Sequence, residues 1–183
     1  VGEGAMAALL GADLAKARAI AEAAAEGEVL AVANDNDPSQ VVISGVRSAV
    51  ERALPLAKEL GAKRAVLLPV SAPFHSPLMQ PAADAMAQAL ATADLRAPLV
   101  PLYANVTAAP VADAETIRAL LVEQVTGMVR WRETVLAMHA AGVTHLVELG
   151  GKVLSGMVKR TAPELDCVSV VSMADIEELL KRL

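Results

Sequence analysis

Short apolar runs alternate with amphipathic stretches along the first third of the chain. Four apolar runs typical of buried strands lie at residues 5–10, 29–33, 41–44 and 65–68. Helical periodicity predicts α-helices over residues 14–25 and 48–60, and a glycine follows each of them. The polar run at residues 34–39 is dense in turn formers and predicts a tight turn. The resulting order, β-α-β-β-α-β, is that of a ferredoxin-like arrangement.

From residue 69 onward, apolar runs alternate with longer amphipathic stretches. Strands are predicted at residues 99–103, 143–149 and 168–171. Helices are predicted at residues 77–93, 114–124, 131–141, 152–160 and 173–183. Strands that alternate with helices indicate a mostly parallel sheet. We therefore predict an α/β protein with a small ferredoxin-like part at residues 1–66 and a second part at residues 67–183.

The stretch PVSAPFHSPLM at residues 69–79 stands between a predicted strand and a predicted helix. Its three prolines restrict the backbone, so the loop should hold His75 in one place at the strand end. Ser76 is a candidate N-cap for a helix that begins at Pro77, although Pro81 could also mark the true start. A rigidly held imidazole suits a general base. A purely structural histidine is equally compatible with the sequence at this point.

Composition excludes several classes of function. The chain has one Phe, one Trp and one Tyr, too few for a base-stacking platform. Its net charge of −5 argues against binding to nucleic acid or to an anionic membrane surface. The single Cys167 excludes internal disulfides and a cysteine metal cluster, and it favours a reducing, cytoplasmic compartment. No apolar run reaches the roughly 18 residues that a membrane helix needs, and no signal peptide is visible.

Other candidate sites are weaker. The turn Gly150–Gly151 between a strand and a helix could approach a phosphate, but it is weak evidence alone, and a plain tight turn is the favoured interpretation. His139 and His145 have no carboxylate or cysteine at metal-ligand spacing, and we interpret both as structural. The sequence contains no Gly-x-Ser-x-Gly nucleophile elbow, so a base at His75 has no nucleophile partner within these residues.

The joint order of several motifs carries a family resemblance. Besides the histidine motif at residues 69–79, these are GAMAA at 4–8, PSQVVISG at 38–45, PLYANVT at 101–107 and ELGGKVLSG at 148–156. Together they resemble the malonyl-CoA:acyl carrier protein transacylases, the acyltransferase family of fatty acid and polyketide synthesis. The resemblance implies a ferredoxin-like small subdomain plus the C-terminal part of an α/β-hydrolase-like parallel-sheet subdomain. One departure is the direct Gly150–Gly151 junction, where the family usually has an intervening residue.

The resemblance also implies a chemistry. Family members use a serine and a histidine in a ping-pong transfer of malonyl from CoA to the phosphopantetheine thiol of acyl carrier protein, in fatty acid biosynthesis. His75 then corresponds to the base, and the main chain at Gln124 orients it. Asn34 corresponds to a position beside the substrate cleft. Phe74 directly precedes His75 and would narrow the pocket, which favours malonyl over methylmalonyl, and Val153 is a further substrate-binding candidate. Malonyl-CoA is a substrate, no permanent cofactor or metal is implied, and we expect a monomer that binds neither nucleic acid nor membrane.

The family's serine, its carboxylate-binding arginine and its oxyanion loop belong to an N-terminal half that this sequence does not contain. We therefore expect residues 1–183 alone to be inactive. The alternative is a non-enzymatic, ferredoxin-like regulatory or binding module attached to an α/β partner domain. Strand order and composition alone allow that alternative, whereas the proline-framed His75 favours the enzyme.

Overall fold

The computed structural model describes residues 4–181. The chain divides into two compact units, the first ending at Thr134 and the second beginning at Val135. Residues 1–3 and 182–183, which the predicted domain and helix ranges include, lie outside the described residues.

The first six elements form a four-stranded sheet with two helices. They are β1 (Gly4–Leu10), α1 (Leu14–Ala25), β2 (Leu30–Asp37), β3 (Gln40–Val46), α2 (Arg47–Glu59) and β4 (Arg64–Leu67). The strand order is β2-β3-β1-β4, and every neighbouring pair is antiparallel. The order of helices and strands is the one that the apolar runs predict.

The main core lies between the sheet and its two helices. Leu9, Ile20, Ile43 and Val50 are completely buried there, together with many alanines. Burial of each large aliphatic side chain stabilises the fold by about 1.5–3 kcal/mol. A smaller cluster that includes Met6 and Val42 covers the opposite face. The sheet is therefore buried on both faces, which explains why its strands read as continuous apolar runs rather than as an alternating pattern.

The predicted turn at residues 34–39 is wrong in its extent. Strand β2 continues through the polar residues to Asp37, and the turn itself consists of Pro38 and Ser39. Asp37 accepts hydrogen bonds from the main-chain N–H and the hydroxyl of Ser39, both at 2.9 Å. Two register shifts bend β2 along this stretch. The polar side chains have partners inside the fold, so the composition of the stretch misled the prediction.

Beyond β4 the first unit continues with a short 3₁₀ turn, helices and a hairpin. The elements are the 3₁₀ turn Pro77–Met79, α3 (Gln80–Ala91), β5 (Leu102–Ala104), β6 (Ala109–Val111) and α4 (Ala114–Thr126). The regular helix starts beside Pro81, which was the alternative to a predicted start at Pro77. The predicted strand at 99–103 is only a three-residue strand, and its antiparallel partner β6 was not predicted because it is short and contains Pro110.

The second unit contains the remaining elements. They are α5 (Trp131–Ala140), which begins before the division, β7 (His145–Leu149), α6 (Leu154–Thr161), β8 (Asp166–Val170) and α7 (Met173–Leu180). Strands β7 and β8 pair in parallel, from His145 opposite Asp166 to Leu149 opposite Val170. Among the described residues this is the only parallel pairing of two strands, so the predicted mostly parallel sheet is reduced to two strands. None of the helices within residues 4–181 has the length and apolar character needed to cross a membrane.

Candidate functional site

His75 occupies an unusual backbone conformation. Its φ angle is 56°, in the left-handed region that residues with a side chain seldom adopt. The next residue, Ser76, is extended, as its position before Pro77 requires. Ser76 is completely buried, and its hydroxyl donates a 2.7 Å hydrogen bond to the carbonyl oxygen of Pro73. The loop therefore closes on itself around His75, and strained backbone of this kind is typical of functional sites.

This contact corrects the prediction for Ser76. Its side chain makes no capping hydrogen bond to the following turn, because the hydroxyl is already bound to Pro73. Ser76 still precedes the 3₁₀ turn, and its carbonyl oxygen accepts a hydrogen bond from the N–H of Met79 at 3.0 Å. The prolines and the serine together fix the direction in which the His75 ring leaves the main chain.

The ring of His75 binds the end of helix α4. Its Nδ1 lies 2.9 Å from the main-chain carbonyl oxygen of Gln124. A carbonyl oxygen can only accept a hydrogen bond, so Nδ1 carries a proton in this contact, and the lone pair of the neutral ring is then on Nε2. The last carbonyls of a helix have no partner within it, which makes the Gln124 oxygen available. The half-buried imidazole thus presents an acceptor nitrogen.

The end of helix α4 is itself fixed. The side-chain amide of Gln124 donates a 2.9 Å hydrogen bond to the carbonyl oxygen of Gly127. A Cβ atom at Gly127 would lie 2.9 Å from the carbonyl oxygen of Glu123 and 2.9 Å from a methyl of Val106. Only glycine fits there without a shift of the surrounding atoms. The sequence marks Gly127 as a helix stop, but its close packing is visible only in three dimensions.

Asn34 lies on strand β2, next to the segment that follows α4. It forms an isolated parallel bridge with Val129. The N–H of Val129 donates to the carbonyl oxygen of Ala33, and the N–H of Asp35 donates to the carbonyl oxygen of Val129, both at 2.8 Å. Asn34 is therefore part of the pairing between β2 and this segment rather than of a turn.

Asp35 is a buried acid that the sequence did not single out. Its side chain is completely buried and accepts hydrogen bonds from the Nε of Arg132 at 3.1 and 3.0 Å. A second guanidinium nitrogen lies 2.8 Å from Oδ2. The hydrogen bond with Asp35 raises the pKa of Arg132, and burial opposes that rise. Ala33, Asp35 and Asp37 are all buried, and this period of two is the signal that could have identified the inward-facing acids.

Phe74 and a cavity beside Gln124 provide apolar surface in the first unit. The side chain of Phe74 is 41% exposed, directly beside His75 in the chain. A cavity of about 210 Å³ extends from β5 to Gln124 and is lined mainly by apolar side chains such as Leu102, Ile117 and Leu121. The structure therefore joins His75 to Gln124 and exposes Phe74, whereas Asn34 belongs to the β2 edge.

The carboxylate of Glu148 binds the N-terminus of the helix that follows the Gly150–Gly151 turn in the second unit. The carboxylate accepts hydrogen bonds from the main-chain N–H groups of Val153, Leu154 and Ser155 at 2.8, 2.9 and 2.9 Å. The hydroxyl of Ser169 adds a fourth bond at 3.1 Å. Burial raises the pKa of Glu148, but these donors outweigh it and lower the pKa to about 2. The helix N-terminus that could have bound a phosphate is thus occupied by the protein's own carboxylate.

The remaining candidates from the sequence carry little chemistry. Val153, 64% exposed, lies at the start of α6, where its N–H is bound to Glu148. His139 is exposed, and exposed His145 has its Nδ1 2.8 Å from the hydroxyl of neighbouring Thr144. Burial raises the pKa of the Cys167 thiol, which makes it a poorer nucleophile at neutral pH. Within residues 4–181 no group of three or more His, Cys, Asp or Glu is arranged to hold a metal ion.

Comparison with known proteins places these features in context. The family model described as the acyl transferase domain matches residues 1–173. The chain is 48% identical over 165 residues to the Escherichia coli (strain K12) protein named malonyl CoA-acyl carrier protein transacylase, which covers 90% of this chain and 53% of that protein. The similarity lies in the C-terminal part of such relatives.

Two solved structures are similar over the whole chain. An acyl-carrier-protein-S-malonyltransferase from Bartonella henselae has a TM-score of 0.95 at 52% identity, and the match covers 100% of this chain and 58% of that chain. A malonyl-transacylase in complex with a type II PKS acyl-carrier protein has a TM-score of 0.96 at 39% identity, covering 100% and 59%. The chain therefore spans a little over half the length of these relatives.

Proposed function

Because the chain belongs to the acyl transferase domain family, we propose that His75 is the general base in malonyl transfer from CoA to the phosphopantetheine thiol of an acyl carrier protein. The observation that carries the proposal is the 2.9 Å contact from His75 Nδ1 to the carbonyl oxygen of Gln124. That contact commits Nδ1 as a donor and leaves Nε2 to accept a proton. Gln124 acts as an orienting residue through its main chain.

The reaction needs a serine from outside these 183 residues. Nε2 of His75 accepts the serine hydroxyl proton as the serine oxygen attacks the malonyl thioester carbonyl. The C–S bond then breaks, the CoA thiol leaves with the proton, and malonyl remains as a serine ester. In the second half-reaction His75 takes the proton of the carrier-protein thiol, whose sulfur attacks the ester carbonyl. The C–O bond then breaks, the serine oxygen regains the proton from His75, and malonyl leaves as a thioester of the carrier protein. A thioester is already activated, so this sequence of steps requires no metal or permanent cofactor.

The substrate side of the site is part of the proposal. Phe74 lies next to the base and would restrict the space around the malonyl α-carbon, which favours malonyl over methylmalonyl. We propose Asn34 in the first unit as a substrate-binding residue for malonyl-CoA. We propose the same role for Val153 in the second unit. The names of the relatives support acyl carrier protein as the acceptor, and fatty acid biosynthesis in the cytoplasm is the setting that we propose.

The finer description of the fold belongs to the same proposal. We assign residues 1–66 to a ferredoxin-like small subdomain, supported by the antiparallel order β2-β3-β1-β4. Residues 67–183 are then the C-terminal part of an α/β-hydrolase-like large subdomain, supported by the parallel pair β7 and β8. The non-enzymatic alternative gains no support, because the named relatives are transacylases or malonyltransferases.

A fusion tests the proposal. The part of the Escherichia coli relative that the match does not cover is placed before Val1, and malonyl transfer from CoA to acyl carrier protein is measured. We expect the fusion to form a serine-linked malonyl adduct and to transfer it. The 183-residue chain alone should form no adduct with labelled malonyl-CoA. A folded fusion that forms an adduct at the same rate after His75→Ala would refute the role of His75.

A further inference from the structure

A buried ion pair stands at one end of the segment that carries Gln124. Asp35 on β2 is completely buried and is bound by the guanidinium of Arg132, which lies in the first turn of α5. A buried carboxylate is strongly unfavourable without such a partner. Because two guanidinium nitrogens bind the carboxylate, the ion pair fixes the orientation of the Arg132 side chain and its distance from Asp35.

Several contacts hold the segment from Gln124 to Arg132. Arg130 binds the loop between β5 and β6: its main-chain N–H donates to the carbonyl oxygen of Asn105 at 3.0 Å, and its guanidinium donates to that of Thr107 at 3.2 Å. Three further contacts involve Gln124 itself or strand β2. Near the start of the segment, the side chain of Gln124 binds the carbonyl oxygen of Gly127. In its middle, Val129 exchanges main-chain hydrogen bonds with Ala33 and Asp35 of β2. At its end, Arg132 binds the Asp35 carboxylate. Asp35 therefore holds the segment twice, once through its main-chain N–H and once through its side chain.

Strand β2 is at the edge of the four-stranded sheet, and Val129 is attached to it by a single bridge. Two hydrogen bonds on a sheet edge are a weak anchor, because solvent can replace them when the edge opens. The ion pair adds a buried, directional contact only three residues away. Any displacement of the segment would move the Gln124 carbonyl oxygen, which is the acceptor for His75 Nδ1.

We propose that Asp35 and Arg132 are positioning residues for the base: their ion pair holds residues 127–132 on the edge of β2 and thereby fixes the carbonyl that selects the tautomer of His75. The inference rests on the proposed function for its catalytic meaning. Neither residue touches the reacting atoms. A purely structural ion pair would change stability and leave the tautomer of His75 unchanged, which makes the two roles separable by experiment.

The test measures the tautomer directly on the 183-residue chain by nitrogen NMR of ¹⁵N-histidine-labelled protein. A His75→Gln sample assigns the His75 ring signals, and His139 and His145 serve as internal references. The main variant is the double substitution Asp35→Asn with Arg132→Gln, which removes both charges and avoids an unpaired buried carboxylate. A second variant, Arg132→Lys, keeps the charge but loses the planar fork.

Arg52→Gln is the matched control. Arg52 also forms a part-buried ion pair, with Glu28, and it binds the main chain at Ala24 and Ala25 within the same compact unit. These contacts do not involve the segment after α4. We expect the wild-type and Arg52→Gln proteins to hold one His75 tautomer with the proton on Nδ1. The double variant should show a mixture of both tautomers, and Arg132→Lys a smaller change in the same direction.

In the active fusion, the double variant should lower kcat for malonyl transfer by about 10²-fold, as expected for a misplaced catalytic group, with little change in KM. A folded double variant with an unchanged His75 spectrum would overturn the inference and leave a structural ion pair. If the double variant does not fold, the spectrum of Arg132→Lys decides in the same way. A fusion without transfer activity would refute the proposed function alone, because the tautomer measurement does not depend on activity.

Discussion

The imidazole Nδ1 of His75 lies 2.9 Å from the main-chain carbonyl oxygen of Gln124, 49 residues further along the chain. Two separate parts of the sequence therefore determine the state of one ring. The proline-rich loop sets where the ring is, and the end of helix α4 sets which nitrogen carries the proton. Either part can therefore be altered by substitution while the other remains.

Substitution His75→Ala should lower malonyl transfer in the active fusion by about 10²–10⁴-fold, the usual cost of a lost general base. The melting temperature should change little, because the ring is only half-buried. Transfer rates and thermal unfolding of the wild type and the variant provide the measurement. His139→Ala, at an exposed position on α5, is the control and should retain full activity. Loss of activity that merely follows unfolding would favour the structural interpretation of His75.

Substitution Phe74→Ala should relax the choice of acyl group. Phe74 is 41% exposed and adjacent to the base, so its removal opens space while removing little core packing. We expect the ratio of methylmalonyl to malonyl transfer to rise by about tenfold or more, the value of one methyl group in an apolar pocket. Competition between the two CoA esters measures this ratio. Leu78→Ala, with 39% exposure in the following turn, should leave the ratio unchanged.

The sequence was sufficient to predict strands and helix ends where local chemistry determines structure. The apolar runs identified β1 to β4, and glycine or proline marked several helix ends correctly. It failed where a tertiary contact compensates for an unfavourable local pattern. The polar residues 34–37 continue strand β2 because Asp35 binds Arg132 and Asp37 binds Ser39, partners that no local pattern reveals.

Some residues of the candidate site could likewise be predicted from local sequence, and others could not. His75 was identified from its proline frame, a local feature. The contact with Gln124 came only from the family resemblance, since 49 residues separate the two and no spacing rule connects them. Sequence patterns do not reveal the role of Glu148, because three of its four hydrogen-bond donors are main-chain N–H groups, which carry no sequence signature. Arg132 was missed because an isolated arginine in an amphipathic helix reads as a solvated side chain.

Substitution Gly45→Ala should destabilise the first unit. A Cβ atom at Gly45 would lie 2.1 Å from the carbonyl oxygen of Val29 and 2.8 Å from the Cα of Leu30, and both are backbone atoms that cannot rotate away. We expect the free energy of unfolding to fall by about 1–3 kcal/mol or more, as for an overpacked core. Denaturant titration followed by circular dichroism measures the change.

Gly156→Ala serves as the control for that experiment. This glycine lies within helix α6, and apart from the helix backbone and the adjacent residues, an added Cβ would meet only the end of the Arg160 side chain, at 3.6 Å. Alanine is the better helix former by roughly 0.5–1 kcal/mol, so this variant should be slightly more stable than the wild type. Equal destabilisation by both substitutions would contradict the steric argument for Gly45.

Substitution Glu148→Gln should remove part of the acid sensitivity of the second unit. Four hydrogen-bond donors hold the pKa of Glu148 at about 2, below its ordinary value of 4.5. The folded state therefore binds this proton less readily than the unfolded state, and the carboxylate contributes stability above pH 4.5. That contribution is lost progressively as the pH falls from 4.5 towards 2.

We expect the wild type to lose stability across this window, whereas Glu148→Gln should be less stable at pH 7 and show a flatter dependence below pH 4.5. Equilibrium unfolding at a series of pH values measures both curves. Glu164→Gln, at an exposed position in the same unit, should reproduce the wild-type slope. A Glu148→Gln curve parallel to the wild type would show that the hydrogen bonds to α6 stabilise the glutamine equally well and that the charge contributes nothing.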